Sequence, residues 1–442
     1  MDSVLLLVGG IIGSGIFLTA GQIATNAPTP LLFLVIWGAG AGITLLACFA
    51  FAELGAMYPE SGGQYVYVRE AYGDLAGFLY GWMIFTVSVG GTVAALAVGF
   101  AEYFDRFLHF GASQALFRVG SLAFTRAHLV AVQAIILLTV INVVGLKPGA
   151  WFQDAATWAK GAAIGAFVVL GLTVGSGSWS NYTAPIDTQT TATLGSLGVA
   201  LIAVFWAFDG WVYITWVAGE VKDAQRTLPR ALVLGLSVVA GIYLAINLVY
   251  LYALPLERIA QETTIAETAA MELFSPAAGR WLSLLVSFSC FGALSAVILA
   301  GSRVYYAMAQ DGLFFRKMAE VHPRYRTPAF SLIIQAVWGS VLAVSGRYDQ
   351  LFTYVMVMMV ISYAAGVLAL FVLRRKQPDR PRPYRCTGYP WAPAVYVVIA
   401  TAFIVNATWE RPWETGAGVL IVMAGLPAYF WWKRGSRQAS VE

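Results

Sequence analysis

The sequence predicts an all-α integral membrane protein with twelve transmembrane helices, and three observations carry that expectation. Only 11% of its 442 residues are charged while 59% are hydrophobic, against about 25% charged in soluble domains. The apolar residues gather into twelve runs, each near the ~20 residues that a bilayer crossing needs. Two of those runs, five runs apart, are interrupted at their middles, the pattern expected of inverted-repeat membrane folds. Alternating ten-residue segments, the mark of a β-barrel, do not occur.

The runs centre near Ser14, Ile43, Gly90, Ile135, Phe167, Ala207, Gly241, Gly292, Trp338, Ala364, Ile399 and Met423. The first follows only Met-Asp, with no basic segment before it and no cleavage pattern before "TNAPTP", so it reads as a retained helix and not a signal peptide. The third and eighth are long enough to demand tilt. An even number of spans puts both termini on one side. Most of the 27 lysines and arginines fall in loops on that side, with clusters at 222–230, 316–326, 374–385 and 433–437. Both termini are therefore expected in the cytoplasm, in a plasma (inner) membrane protein. The net charge of +4 then describes loops facing an anionic leaflet and gives no reason to expect a nucleic-acid partner. The three cysteines, Cys48, Cys290 and Cys386, form no CxxC pair, and no histidine cluster accompanies them. No cofactor and no metal are expected, and no catalytic residue: the apolar runs contain no histidine to serve as a base.

The first interruption is "GGIIGSGIF", residues 9–17, with four glycines in seven positions. Each costs roughly 0.5–1 kcal/mol relative to alanine in a helix interior. Close packing through the Gly9–Gly13 GxxxG pair competes with a break at Gly13-Ser14-Gly15 that bares backbone to a ligand. The sixth run, "LIAVFWAFDGWVYITWV", supplies the matching interruption at Asp209-Gly210. A charged residue at mid-bilayer costs ~2.5–3.5 kcal/mol even on the insertion scale. The pairing favours the ligand reading. The half-helix restarting after Ser14 then points free N–H groups, from about Gly15 to Phe17, at the membrane centre, where a carboxylate fits. The first half of run six ends near Ala207 with free carbonyls, where an ammonium fits. The two together describe an α-amino acid.

With "WAFDGWVYITWVAGEVKDAQRTLPRAL" and "SCFGALSAVILAGSRVYYAMAQDGLF" beside "GGIIGSGIF", the sequence resembles the amino acid–polyamine–organocation superfamily, and within it the L-type amino acid transporter branch. The resemblance runs from Gly9 to about Arg385. It implies a LeuT-type fold: inverted five-helix repeats at 1–175 and 194–373, peripheral helices at 391–433 and a cytoplasmic tail at 434–442. It implies alternating-access transport of amino acids, without sodium and commonly by exchange; a proton-coupled amino acid carrier or a polyamine carrier is the alternative. By the same resemblance the substrate site comprises Ile12, Gly13, Ser14, Gly15, Ile16, Trp206, Ala207, Asp209 and Gly210, with Trp206 as an aromatic gate. It also implies that Lys160, in "FQDAATWAKGAAIGAF", replaces the sodium of related folds and links the first break to Ser302 of run eight. Snorkelling to the interface is the other reading of Lys160. Branch members with a disulfide-linked heavy chain carry a cysteine between spans three and four. The segment from Asp105 to His128 has none, so no such partner is expected. Glu53, Asp154 and Glu220 are candidates for inner-gate ion pairs with Arg303 and the basic loops; a solvated rim is the other reading. Asp209 leaves open whether the preferred side chain is neutral or cationic.

Overall fold

The computed structural model describes residues 3–120, 122–183, 193–345, 348–410 and 412–438. Its helices, in chain order, are α1 (Ser3–Ile11), α2 (Gly15–Leu18), α3 (Ala20–Thr25), α4 (Pro30–Met57), α5 (Gln64–Tyr72), α6 (Asp74–Met83), α7 (Gly90–Leu108), α8 (Arg126–Val144), α9 (Leu146–Thr173) and α10 (Leu194–Phe208). There follow α11 (Tyr213–Trp216), α12 (Ala224–Ala253), α13 (Leu256–Gln261), α14 (Ile265–Leu273), α15 (Pro276–Gln310), α16 (Ala329–Ser345), α17 (Tyr348–Lys376), α18 (Trp391–Glu410), α19 (Pro412–Met423) and α20 (Gly425–Gln438). Among the described residues the strands are β1 (Ala115–Val119) and β2 (Leu122–Thr125), an antiparallel hairpin between α7 and α8.

Among the described residues eight helices are long and apolar enough to cross a membrane, and four shorter apolar helices, Ser3–Leu18, Thr157–Thr173, Gly195–Phe208 and Ala329–Ser345, occupy the other expected runs. Two of the short ones are the interrupted helices, short because they break. The long helices have clear starts. Thr29 caps α4 by accepting from the Leu32 amide, with Pro30 at the first helical position, where its missing N–H costs nothing. Ser275 and Pro276 do the same for α15. α6 runs into α7 through a π-helical turn at Ile84–Val89, making one 35-residue helix, as long as α15. At 1.5 Å per residue each is roughly 52 Å long, well beyond a ~30 Å hydrocarbon core.

These two helices are the centre of the bundle. In Asp74–Leu108, 83% of the most apolar window is buried, against 28% in Trp391–Glu410 and 22% in Thr415–Lys433, so the last two spans sit at the periphery. Glycines bring the central helices together. A Cβ at Gly81 would lie 2.1 Å from the Met308 sulfur, and one at Gly91 2.4 Å from Val355.

At the end where α4 and α17 finish, ion pairs tie the helices. Fully buried Glu53 accepts from Arg374 Nε and Nη2 at 2.9 and 2.6 Å and from the Cys386 amide at 2.6 Å. The Arg382 guanidinium lies 3.3 Å from the same carboxylate. Arg380 adds hydrogen bonds to the Met57 carbonyl and stacks 3.7 Å over Tyr58. The segment from 377 to 390 is thus strapped across the end of α4. Burial, with the Glu53 carboxylate beside it, pushes the Cys386 thiol up to about 12, so it stays protonated and unreactive at neutral pH. Arg303 pairs with Glu220 at 2.8 Å and Arg69 with Asp311. Of the expected gate pairs, Glu220–Arg303 forms; Glu53 takes Arg374 and Arg382 as partners, and the side chain of Asp154 lies outside the described residues.

Candidate functional site

The first break lies where the glycines put it. α1 stops at Ile11, residues 12–14 bend, and α2 restarts at Gly15. The Gly13 amide folds back on the Ile11 carbonyl at 2.8 Å. The Phe17 and Leu18 amides bond the Ser14 carbonyl, which corrects the expectation that Phe17 presents a free N–H. The amides of Gly15 and Ile16 have no hydrogen-bond acceptor among the described residues, as the first turn of any helix dictates. The second break follows α10: Asp209 is extended and Gly210 takes φ +100°, a region that side chains rarely adopt.

The two breaks touch through backbone. A Cβ on Gly15 would lie 2.4 Å from Ala207 Cα, and one on Gly210 would lie 2.7 Å from the Gly10 carbonyl oxygen. Gly13 fits against Ala293, where a Cβ would be 2.9 Å away. The glycines therefore do both jobs that the sequence set against each other: they pack closely and they bare the chain. Between the breaks lies a narrow cavity of about 20 Å³, lined by Gly10, Ile11, Gly13, Ser14, Gly15, Thr92, Leu96, Trp206, Asp209 and Tyr213. Five of the expected site residues line it directly. Ala207 and Gly210 form the crossings beside it, and Ile12 turns its carbonyl away.

Sequence reasoning missed the side chains that arrange these groups. Tyr243 of α12 places its hydroxyl 3.1 Å from the Ile11 carbonyl and 2.9 Å from the Ala207 carbonyl. One phenolic proton thus serves the C-terminal ends of both half-helices. The Tyr363 hydroxyl donates to one oxygen of Asp209, and the Tyr213 hydroxyl to the other at 3.4 Å. Asp209 is 7% exposed. No lysine or arginine pairs with it among the described residues; neutral hydroxyls do. A signal was present: Tyr213 lies four residues after Asp209, one helical turn. Tyr363 and Tyr243 had none.

Lys160 points inward. Its ammonium donates to the Gly9 carbonyl at 3.1 Å, the Ile12 carbonyl at 2.9 Å and the Ser289 carbonyl at 3.4 Å. The Ser289 hydroxyl donates to the same Ile12 oxygen at 2.9 Å. The residue is 5% exposed, which removes the snorkelling reading. The expected link to Ser302 does not form. Ser302 lies thirteen residues along α15 from Ser289, some three and a half turns away. There it bonds the Leu299 carbonyl and accepts from Arg303.

Trp206 is buried on the cavity wall, within reach of a lid's work. Trp206→Ala is expected to slow translocation by about tenfold or more while changing ligand affinity less, because a ring on the cavity wall can act as a lid without holding either charged end of a ligand. Rates and binding measured separately on the purified variant check this; an unchanged rate and KM places the lid elsewhere. On the far side of the molecule from the Glu53 strap, a wider vestibule of about 790 Å³ is lined by residues including Leu18, Gln22, Glu102 and Arg106.

The amino acid permease family profile matches residues 1–426. The serine/threonine exchanger SteT of Bacillus subtilis (strain 168) is 31% identical over 98% of this chain and 96% of its own length. The b(0,+)-type amino acid transporter 1 of Mus musculus is 27% identical over 97% of this chain and 86% of its own. The large neutral amino acids transporter small subunit 2 of Homo sapiens is 28% identical over 96% and 78%.

Proposed function

Since the chain belongs to the amino acid permease family, we propose that it is a sodium-independent exchanger of α-amino acids, working by alternating access. The observation that carries this reading is the pair of half-helix ends at one cavity: the Gly15 amide on its wall, with that of Ile16 next to it, for a carboxylate, and the Ile11 carbonyl on its wall, with that of Ala207 beside it, for an ammonium. Charge-assisted bonds of this kind are worth about 1.5–3 kcal/mol each. An ammonium brings three protons to carbonyls that share one from Tyr243. The exchange activity in the name of the Bacillus subtilis relative supports the mode of transport.

Further parts of the proposal concern arrangement and specificity. The eight long helices and four shorter ones form twelve spans, with inverted repeats at 1–175 and 194–373, 391–433 outside them, and both termini cytoplasmic. Lys160 fills the place of a coupling cation with Ser289, not Ser302, as its contact on α15. The cavity is small, and its one carboxylate is already bonded to two tyrosine hydroxyls, so side chains the size of serine or threonine suit it best. No covalent partner chain is needed, since the three cysteines are all buried.

The test uses proteoliposomes preloaded with L-serine. Uptake of labelled L-serine is expected to be several-fold faster into loaded than into empty vesicles, and equal in sodium and choline buffers. A steep sodium requirement overturns the assignment of Lys160. Loading that makes no difference overturns exchange.

A further inference from the structure

At the arginine-rich end of the bundle a groove runs between the last turns of α17 and the first turns of α18. It holds about 620 Å³, with Leu368, Phe371 and Val372 on one wall and Val397 and Val398 on the other. Leu368 is 42% and Val398 69% exposed, on helices long and apolar enough to cross a membrane, so the groove opens toward lipid. Leu368 precedes Arg375 by seven residues, so the apolar wall extends about 10 Å along the helix. Arg375 and Lys376 complete the lining at the helix end, and no acidic side chain belongs to it. Long basic side chains lay their stems on apolar surface and keep their charged heads at the water boundary. Trp391, 77% exposed, begins α18 at the same end, the placement that aromatic residues favour at a membrane–water interface.

The basic residues at this end fall into two sets. Arg374 and Arg382 are held by Glu53, and Arg380 by the Met57 carbonyl. Arg375 is exposed and has neither a hydrogen bond nor an ion pair among the described residues. Lys376 gives one hydrogen bond, to the Ala71 carbonyl at 2.7 Å, which leaves two of its three donors open. Basic groups at the rim of an apolar groove, with the nearby carboxylate already taken, suit an anion carried on a hydrocarbon body. The groove also touches the strap. Phe371 of its wall packs on Tyr389, ring centroids 5.4 Å apart, and the Arg374 guanidinium lies 3.6 Å over the other partner in that pair, Tyr389. A contact chain therefore runs from the groove through Phe371, Tyr389 and Arg374 to Glu53. A molecule seated there also bridges the two helices that the strap joins.

We propose that this groove binds an acidic phospholipid, with its phosphate on Arg375 and Lys376 and an acyl chain along the apolar walls, and that the bound lipid braces the strap across the end of α4. Neither part depends on exchange. Phosphatidylglycerol is the probe, with phosphatidylcholine and glycerol 3-phosphate as comparisons. In the detergent-solubilised full chain, phosphatidylglycerol is expected to raise the thermal midpoint more than phosphatidylcholine does, and glycerol 3-phosphate to leave it unchanged. Arg375→Gln should raise the half-saturating lipid concentration about five- to tenfold, the loss of one basic group near an anionic headgroup. Ala394→Phe fills the groove and leaves the charges in place; it should abolish the preference. Arg316→Gln removes an exposed charge outside the groove and should behave as the wild type. Cys386, whose amide bonds Glu53, reports on the strap: its labelling by a maleimide, read by mass spectrometry, should slow several-fold with phosphatidylglycerol in the wild type and not in Arg375→Gln. Equal midpoint shifts by the two lipids, or in wild type and Arg375→Gln, overturn the site. So does an equal loss in Arg316→Gln, which marks general surface attraction, or an equal shift by glycerol 3-phosphate, which marks a free-anion site. Selective binding that leaves Cys386 labelling unchanged overturns the bracing and retains the site.

Discussion

Gly15→Val is expected to abolish substrate binding in a protein that still inserts and folds. The new Cβ would start 2.4 Å from Ala207 Cα and 3.1 Å from Ala207 N. These are backbone atoms of the other interrupted helix, so no rotamer change relieves the clash. Either α10 moves away, taking the Ala207 carbonyl with it, or α2 rotates and turns the Gly15 and Ile16 amides out of the cavity. Both outcomes separate the two ends that would hold the substrate. A loss of affinity of at least about 100-fold, near 3 kcal/mol, should appear in equilibrium binding to purified protein. Gly42→Val is the matched control: a Cβ there meets nothing within 4 Å, so only the ordinary helix-propensity change remains. Methyl esters of good substrates should also bind wild-type protein poorly, having no carboxylate for the amides. Wild-type affinity for an ester, or an active Gly15→Val protein, would remove the site from this place.

Lys160→Ala is expected to cost as much. The ammonium is the common donor to the Gly9, Ile12 and Ser289 carbonyls, and without it the end of α1 keeps two neutral hydroxyl donors, Ser289 on Ile12 and Tyr243 on Ile11. Charge-assisted bonds worth about 1.5–3 kcal/mol each predict a fall in exchange of two orders of magnitude or more. Lys160→Met keeps most of the stem and separates packing from charge; it should be nearly as slow. The position also bears on sodium. Two cations about 4 Å apart repel by about 4 kcal/mol at an effective dielectric of 20, so a sodium ion is excluded while the lysine is charged. Exchange rates of the folded variants, with thermal stability as the check on folding, decide between this and a merely packed side chain.

The parts of the site that the sequence made legible are those whose residue type is out of place in hydrocarbon. Four glycines in seven positions, an aspartate at mid-run and a lone lysine each carry a cost that nothing local offsets, so each marked itself. Their partners were not legible. Serines 289 and 302 stand on one helix, and sequence spacing cannot say which turn of α15 lies level with the end of α1. The relative sliding of the two helices decides that. Tyr243 and Tyr363 look like ordinary aromatic residues of apolar helices, and their hydroxyls matter only because folding brings them to carbonyls and a carboxylate 36 and 154 positions away. Glu53 presented a different difficulty. The strand of arginines from 374 to 385 offered many partners at once, and only the path of the strap selects Arg374 and Arg382.

The backbone crossings at Gly15–Ala207 and Gly10–Gly210 divide the cavity's surroundings into two classes for any future change of selectivity. At Gly15 and Gly210 even one added carbon meets main chain, so drift is closed there, and with it any change in the proposed recognition of the amino acid's common end. Thr92 and Leu96 of α7 also line the cavity and belong to neither interrupted helix, whereas Tyr213 is tied to Asp209 and packs at the Gly10–Gly210 crossing. On the proposed site, a lineage or a directed-evolution library would retune which side chain is accepted by sampling Thr92 and Leu96 first, while the crossings stay fixed by contacts that leave no room for a side chain.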